Sequence, residues 1–435
     1  MAEPRIVILG AGPAGGATAM GLRRLGYTVE VVSEWRRFSA GEGVSPRVLE
    51  GMRHAGRSRA LEQAAVPARR RVDWNGTRQQ LNQEYLLDRQ LFDRALREDL
   101  HQAGVTVIEG RVRDVDSDTH GHRVVLDSGQ VLQADFLVEA RGRQAPLTAN
   151  RLRGPESVSL LNLWQGDAGV PLSAVESLDD GWAWMARLAD GRCYWQITLD
   201  SSAASLPPRA QLPAYCAQRR QQSALACELF GEHVGVLAEL HARSSTAILA
   251  GDCVGDTWLR VGDAAMAVDP LSGNGIFQSL SSALQAPAVI NTLLRHPQRA
   301  ALAKRFHQER IEQLFLRFAR IGRDFYVQEQ RGIDLPFWAP RRSWPDDQPI
   351  HAAADFRQLH VDRRPVIRDG LIDEAEVVVG PDQPLGIWHV QGVELAPLVH
   401  GLQAGQPLEA LLSNRPVAQQ SMLRAWLATQ GYRDL

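Results

Sequence analysis

The sequence predicts an α/β chain in which a Rossmann-like nucleotide-binding domain is interrupted by a β-sheet and followed by a small α+β domain. Three observations lead there. An apolar strand runs directly into a glycine-rich turn and a helix at the start of the chain. The pattern from about 157 to 200 is strand-like, and a Pro- and Trp-rich stretch from Pro336 to Pro349 reads as a linker.

The first observation is the most informative. Ile6 to Leu9 is followed by Gly10, Gly12, Pro13, Ala14 and Gly15, then by an Ala/Gly/Leu-rich helix to about Leu25 and a second strand from Thr28 to Ser33. Glycine is needed at the tight turn, at the closest backbone approach to a pyrophosphate and where helix meets strand. The free N–H groups and dipole of the helix N-terminus then favour an anion. Glu34 stands 19 residues after Gly15, where a carboxylate accepts hydrogen bonds from a ribose. Strand, helix, second strand and terminal acid together predict dinucleotide binding.

Further on, Tyr85 to Ala103 reads as an amphipathic helix, Arg113 to Val131 as a hairpin and Ala134 to Glu139 as a strand. The hairpin turn places His120 and His122 on an exposed loop. From Thr246 the chain returns to the first domain, with a short strand at Trp258 to Asp263, a helix from near Gly275 and a long helix over 298–330. The expected domains are 1–156 with 246–335 for the cofactor, 157–245 for an inserted substrate-binding β-sheet, and 350–435 as a cap or docking piece.

Composition narrows the function classes. With 435 residues, 44% hydrophobic and 23% charged, the chain is of ordinary globular type and long enough for two or three domains. Its 48 basic residues against 50 acidic ones argue against a nucleic-acid coat or a polybasic membrane anchor. No apolar run is long enough to span a bilayer, and the first strand begins too early to leave room for a signal peptide. Cys193, Cys216, Cys227 and Cys253 lack CxxC spacing and read as reduced thiols of a cytoplasmic protein. No metal-ligand set is expected. Only one basic residue is a lysine, Lys304.

Four motifs follow one another in a specific order: Gly10 to Gly15 with Glu34; Gly41-Glu42-Gly43 through Pro46 and Arg47; Leu87-Asp88-Arg89 with Phe92-Asp93; and Gly262-Asp263 through Asp269-Pro270, Gly273, Asn274 and Gly275. Over about residues 5–330 the chain resembles FAD-dependent monooxygenases of the glutathione-reductase-like superfamily. The branch is the one that also contains flavin-dependent halogenases and geranylgeranyl reductases. The resemblance implies that Asp263 holds the ribityl hydroxyls and that Gly273, Asn274 and Gly275 face the flavin pyrimidine ring. It also implies that Arg89 neutralises the FAD, the alternative being a surface pair with Asp93. The family's usual Asp-Gly is replaced by Ala140-Arg141-Gly142-Arg143, which leaves open whether NAD(P)H or another donor reduces the flavin.

Trp182 and Trp184 resemble the tryptophan pair of the halogenases without the Ile-Pro that should follow. With Asp190-Gly191 as a two-residue turn, Trp182, Trp184 and Ala186 share a face with Trp195, Ile197 and Leu199 as an aromatic wall. The alternatives are a wall that closes the flavin site and plain sheet core. The halogenases also need a lysine in their N-terminal part, and this chain has none there; a guanidinium stays protonated and cannot replace it. Glu42 and Asp269 are the candidate bases, and loop-shaping acceptors otherwise.

Within the branch the chain is most similar to the flavoprotein monooxygenases of tryptophylquinone cofactor biogenesis. That resemblance implies hydroxylation of an aromatic ring through a flavin hydroperoxide, with O2 as co-substrate. The ring would be a tryptophan side chain of a partner polypeptide docked at the C-terminal region. Alternatives are a monooxygenase of a small aromatic or polyketide metabolite, an isoprenoid reductase, a halogenase and a non-catalytic FAD-binding scaffold.

Overall fold

The computed structural model describes residues 3–433 apart from 37, 65, 120, 233–236 and the side chain of Leu81. Two compact units divide the chain, residues 1–287 with 311–347 and residues 288–310 with 348–435.

The first unit opens with β1 (Ile6–Leu9), α1 (Pro13–Arg24), β2 (Val29–Ser33) and β3 (Gly41–Val44). A hairpin of β4 (Pro67–Trp74) and β5 (Thr77–Asp88) runs into α2 (Arg89–Gln102), followed by β6 (Thr106–Glu109) and β7 (Phe136–Glu139). Next come β8 (Ser157–Gln165), β9 (Leu172–Leu178), β10 (Gly181–Arg187), β11 (Arg192–Asp200), β12 (Leu237–Ser244) and β13 (Trp258–Arg260). The helices α3 (Gly275–Arg295) and α4 (Ala300–Gln328) each contribute residues to both units.

A parallel sheet in the order β13-β7-β1-β2-β6 carries the nucleotide-binding turn. Helices cover such sheets on both faces, so β1 is buried along its whole length and reads as an unbroken apolar run. An eight-stranded sheet in the order β12-β8-β11-β10-β9-β4-β5-β3 forms the second layer. It is wider than the 157–245 segment, because β3, β4 and β5 join it from residues 41–88. The hairpin's polar sequence, with Arg69-Arg70-Arg71 and Gln79-Gln80, hides those strands from an apolar pattern. The helix expected from Tyr85 begins at Arg89: Tyr85–Asp88 complete β5, and the Asp88 carboxylate accepts the Gln90 and Leu91 N–H groups at 2.7 and 3.3 Å. This is a helix cap made by the last residue of a strand.

The structure corrects three further expectations. Leu188 N–H donates to the Arg192 carbonyl at 2.9 Å, so Ala189-Asp190-Gly191 is a three-residue loop. Gly191, at φ +87°, supplies the left-handed residue such loops require. The extra residue slips the register by one and reverses the faces. Trp184 lies opposite Gln196, and Trp195 opposite Met185. Trp195, Ile197 and Leu199 therefore pack away from Trp182 and Trp184, into a core with Cys216 and Leu225.

His122 is buried on the strand Gly121–Leu126, where it meets the Ser117 hydroxyl at 2.7 Å and Thr257. His120 lies outside the described residues. The segment read as a linker belongs to the first unit as far as Asp347 and is anchored there by three buried side chains. Phe337 and Trp338 are buried, and the buried Arg341 donates to Asp200 at 2.9 Å, to the Glu156 carbonyl and to the Ser157 hydroxyl. Its aromatic anchors outweigh its proline content.

In the second unit a three-stranded antiparallel sheet, His360–Arg368, Leu371–Gly380 and Gln383–Ile387, packs with the helices Ala396–Gln403 and Val417–Thr429. The α3–α4 corner belongs to this unit: Ile372 N–H donates to the Thr292 hydroxyl at 2.7 Å and Asn291 to the Gly370 carbonyl at 2.8 Å. All four cysteines are free thiols. Among the described residues no helix is long and apolar enough to cross a membrane, and no cluster of metal-ligand side chains occurs.

Candidate functional site

The glycine turn separates positions fixed by packing from positions left open. Gly10 donates to the Val32 carbonyl at 2.7 Å and sits at φ +111°. A side chain there would meet the Ala140 carbonyl oxygen at 2.4 Å, and one on Gly15 would meet the Gly10 oxygen at 1.9 Å. At Gly12 a Cβ would meet nothing within 4 Å. This open backbone caps α1, with Pro13 at its first position and Ala14 buried behind. Anions are favoured at such a helix end. Glu34 follows β2 half-buried, 4.0 Å from Arg111, outside the carboxyl ends of the parallel strands. Ligands of open α/β sheets bind at that edge.

A buried charged cluster lies at the start of α2. Arg89 is buried, 2.5 Å from Glu42 and 2.9 Å from Asp93. Burial opposes its charge, but the Glu42 and Asp93 carboxylates outweigh burial and hold the guanidinium above its ordinary value. The pair with Asp93 is thus present, but not on the surface. Asp263 accepts from the Gln278 amide at 2.8 Å and lies 3.6 Å from the Arg143 guanidinium. Burial pushes its carboxyl up and Arg143 pulls it back. The loop before it is clamped to the glycine turn: a Cβ on Gly262, at φ +60°, would stand 2.7 Å from the Ala14 Cβ. Arg143, from the segment where the family's Asp-Gly is missing, donates to the Thr246 and Val268 carbonyls at 2.6 and 3.0 Å.

The third element is the start of α3. A Cβ on Gly273 or Gly275 would meet nothing within 4 Å, and the Asn274 amide is turned back onto the Ser272 carbonyl. Open backbone at Gly12, Gly273 and Gly275, with Glu34, Arg89 and Asp263 around it, fits FAD. The cradle matches a diphosphate at α1 and an electron-rich ring edge at α3.

Asp269 and Trp182 meet through the residues between them. Asp269 accepts the Leu271 N–H and the Tyr326 hydroxyl, both at 2.9 Å. Burial pushes its carboxyl up, and burial together with the neighbouring Asp269 holds the Tyr326 phenol well above its ordinary value. Trp182 is buried with Val175, Leu271, Tyr326, Phe337 and Trp338. Trp184 donates to Glu84 at 3.3 Å and packs with Tyr194 and Leu161. Glu42 is committed to Arg89.

Sequence reasoning missed Tyr326, Glu84, Arg143 and Gln278. Gln278 alone had a local signal, three residues after Gly275 on the same helix face. Arg57 was missed as well. It is fully buried, it donates to the Leu96 carbonyl at 3.1 Å, and its guanidinium occupies the place a Gly16 side chain would take. Burial pushes it down to about 10.

A family model described as tryptophan halogenase matches residues 50–364. A solved structure described as the peptidyl tryptophan dihydroxylase QhpG, essential for tryptophylquinone cofactor biogenesis, is 71% identical, covering 99% of this chain and 100% of that one, with a TM-score of 0.90. The flavin-dependent halogenase CmlS shares the fold, with a TM-score of 0.79 at 17% identity over 99% of this chain and 96% of that one. Tryptophan 2-halogenase of Chondromyces crocatus is 26% identical over 78% of this chain and 70% of its own length. The menaquinone reductase of Mycolicibacterium smegmatis is also 26% identical, over 64% of this chain and 74% of its own.

Proposed function

The chain belongs to the tryptophan halogenase family of flavin-dependent oxidoreductases, and from that premise we propose that it hydroxylates a tryptophan side chain of a partner polypeptide during tryptophylquinone cofactor biogenesis. The observation that carries this reading is the 71% identity, over nearly the whole chain, to a peptidyl tryptophan dihydroxylase. The lysine content supports it against halogenation, since Lys304 on α4 is the only lysine.

FAD, when bound and reduced, supplies the oxygen-activating chemistry. In each hydroxylation one atom of O2 replaces a ring proton, the other leaves as water, and a donor such as NAD(P)H provides two electrons. The backbone of Gly12, Gly273 and Gly275 binds the cofactor, with Gly10, Pro13, Ala14 and Gly15 shaping the turn and Glu34, Arg89 and Asp263 orienting it. Trp182 and Trp184 keep the reacting face dry. Asp269 is the better base for the ring proton: burial raises its carboxyl, and Tyr326 holds it in place. Glu42 orients Arg89 instead. Residues 350–435 serve as a docking element for the polypeptide. The free thiols suit a reaction in the cytoplasm.

The test is mass spectrometry after incubating the reduced enzyme under heavy-isotope oxygen with a tryptophan-bearing precursor polypeptide and, separately, free tryptophan. Label on the polypeptide alone is expected. Label confined to the small molecule, or a halide-dependent product, overturns the reading.

A further inference from the structure

We infer that Arg143 sets the charge of the flavin site: its guanidinium cancels the negative charge of Asp263 yet leaves that carboxylate open to cofactor hydroxyls. The reduced cofactor, which carries added negative charge, then forms without repulsion from the acid that holds it. The inference concerns the cofactor alone and stands whatever ring is hydroxylated.

The carboxylates named for the cradle have arginines beside them. Glu34 lies 4.0 Å from Arg111, but that guanidinium is 69% exposed, so water and salt screen the pair. Glu42 and Asp93 share Arg89, and Asp93 also pairs with Arg36 at 3.2 Å, so two acids meet two bases. Asp263 has Arg143 at 3.6 Å. Arg143 and Asp263 are each 31% exposed, so this pair borders open space rather than core. It also lies against α3, because the Gln278 amide on that helix donates to Asp263 at 2.8 Å.

Arg143 is held where it acts. One terminal nitrogen donates to the Thr246 carbonyl at 2.6 Å and the other to the Val268 carbonyl at 3.0 Å. Both are spent on backbone, and only Nε is left towards Asp263, too far for a hydrogen bond. The contact is therefore one of charge. A bidentate pair would use up the carboxylate, whereas this one leaves it with a single printed donor, Gln278, and room for more. Val268 immediately precedes Asp269 and the turn to Gly273, so the same guanidinium is tied to the backbone that ends at the start of α3. Charge beside the flavin ring is one of the levers by which a protein tunes that cofactor. In a partly buried site such a charge acts several times more strongly than in water. Asp263 alone would oppose reduction, and Arg143 alone would favour it.

The experiment is the midpoint potential of FAD bound at saturation, measured without oxygen by equilibration with redox dyes. It is run at about pH 8.5, above the carboxylate range, so that Asp263 does not shed its charge by taking up a proton. Arg143→Gln is expected to lower the potential by at least 30 mV, a tenfold change in the reduced-to-oxidised ratio for two electrons. Asp263→Asn is expected to raise it by as much. The double variant should return to within threefold of the wild-type ratio, whereas two purely structural losses would add. An unchanged or raised potential in Arg143→Gln overturns the inference, as does a double variant further from wild type than either single one. Should Arg143→Gln fail to fold, Asp263→Asn decides alone, and an unchanged or lowered potential there overturns the inference.

Discussion

At Gly15 a single methyl group would stand 1.9 Å from the Gly10 carbonyl oxygen, whereas at Gly12 it would touch nothing in the protein. The two glycines therefore fail differently. Gly15→Ala is expected to destabilise the protein by about 1–3 kcal/mol through overpacking, seen as a lower melting temperature and loss of co-purified flavin. Gly12→Ala should leave flavin-free stability within about 1 kcal/mol yet lower flavin affinity at least tenfold, measured by titration of the apoprotein. Asp269 makes a chemical prediction. Its carboxyl is raised by burial, and a base acts only when deprotonated. Hydroxylation should therefore rise with pH through a range above that of an ordinary aspartate, and Asp269→Asn should slow it roughly 100-fold and remove that limb. Candidates such as Gly12, Asp263 and Asp269 could be picked out because their motifs are local. Tyr326 and Glu84 were not, because they meet their partners across 57 and 100 positions of chain.

Strands and helices were legible where their pattern was apolar. β1, β7 and α4 follow the expected runs, while β4 and β5 carry too many polar side chains to be seen. The β10–β11 hairpin shows how little separates a right element from a wrong face: both strands were foreseen, and one extra loop residue turned the aromatic wall around. The β4–β5 arm depends on Glu329. Burial would raise that carboxyl, but Arg331, the Ser177 hydroxyl and the Arg331 and Asn75 N–H groups outweigh burial and hold it near about 2, below its ordinary 4.5. A depressed carboxylate adds stability above the unfolded value, and that stability is lost as pH falls from 4.5 through about 2. Glu329→Gln is expected to remove about 2 kcal/mol at neutral pH and to flatten that acid limb in denaturant unfolding.

For the whole molecule, the α/β class was readable because the apolar strands of the parallel sheet and the helices between them carry clear patterns. The ownership of residues 288–310 was not. Nothing in the sequence of two consecutive helices says that their corner belongs with residues 348–435. A chain ended at Asp347 leaves Thr292 and Asn291 without Ile372 and Gly370, and with them the apolar Val289, Ile290 and Phe306 lose their unit. Soluble yield of that truncation should fall at least tenfold, measured against the full chain in the same expression host. The same interleaving sets a timetable during synthesis. The corner leaves the ribosome well before the strands and helices that complete its unit, and at about 5–20 residues per second the wait is on the order of 10 s. For that interval every nascent chain presents an apolar helical elbow, which is the kind of surface chaperones hold.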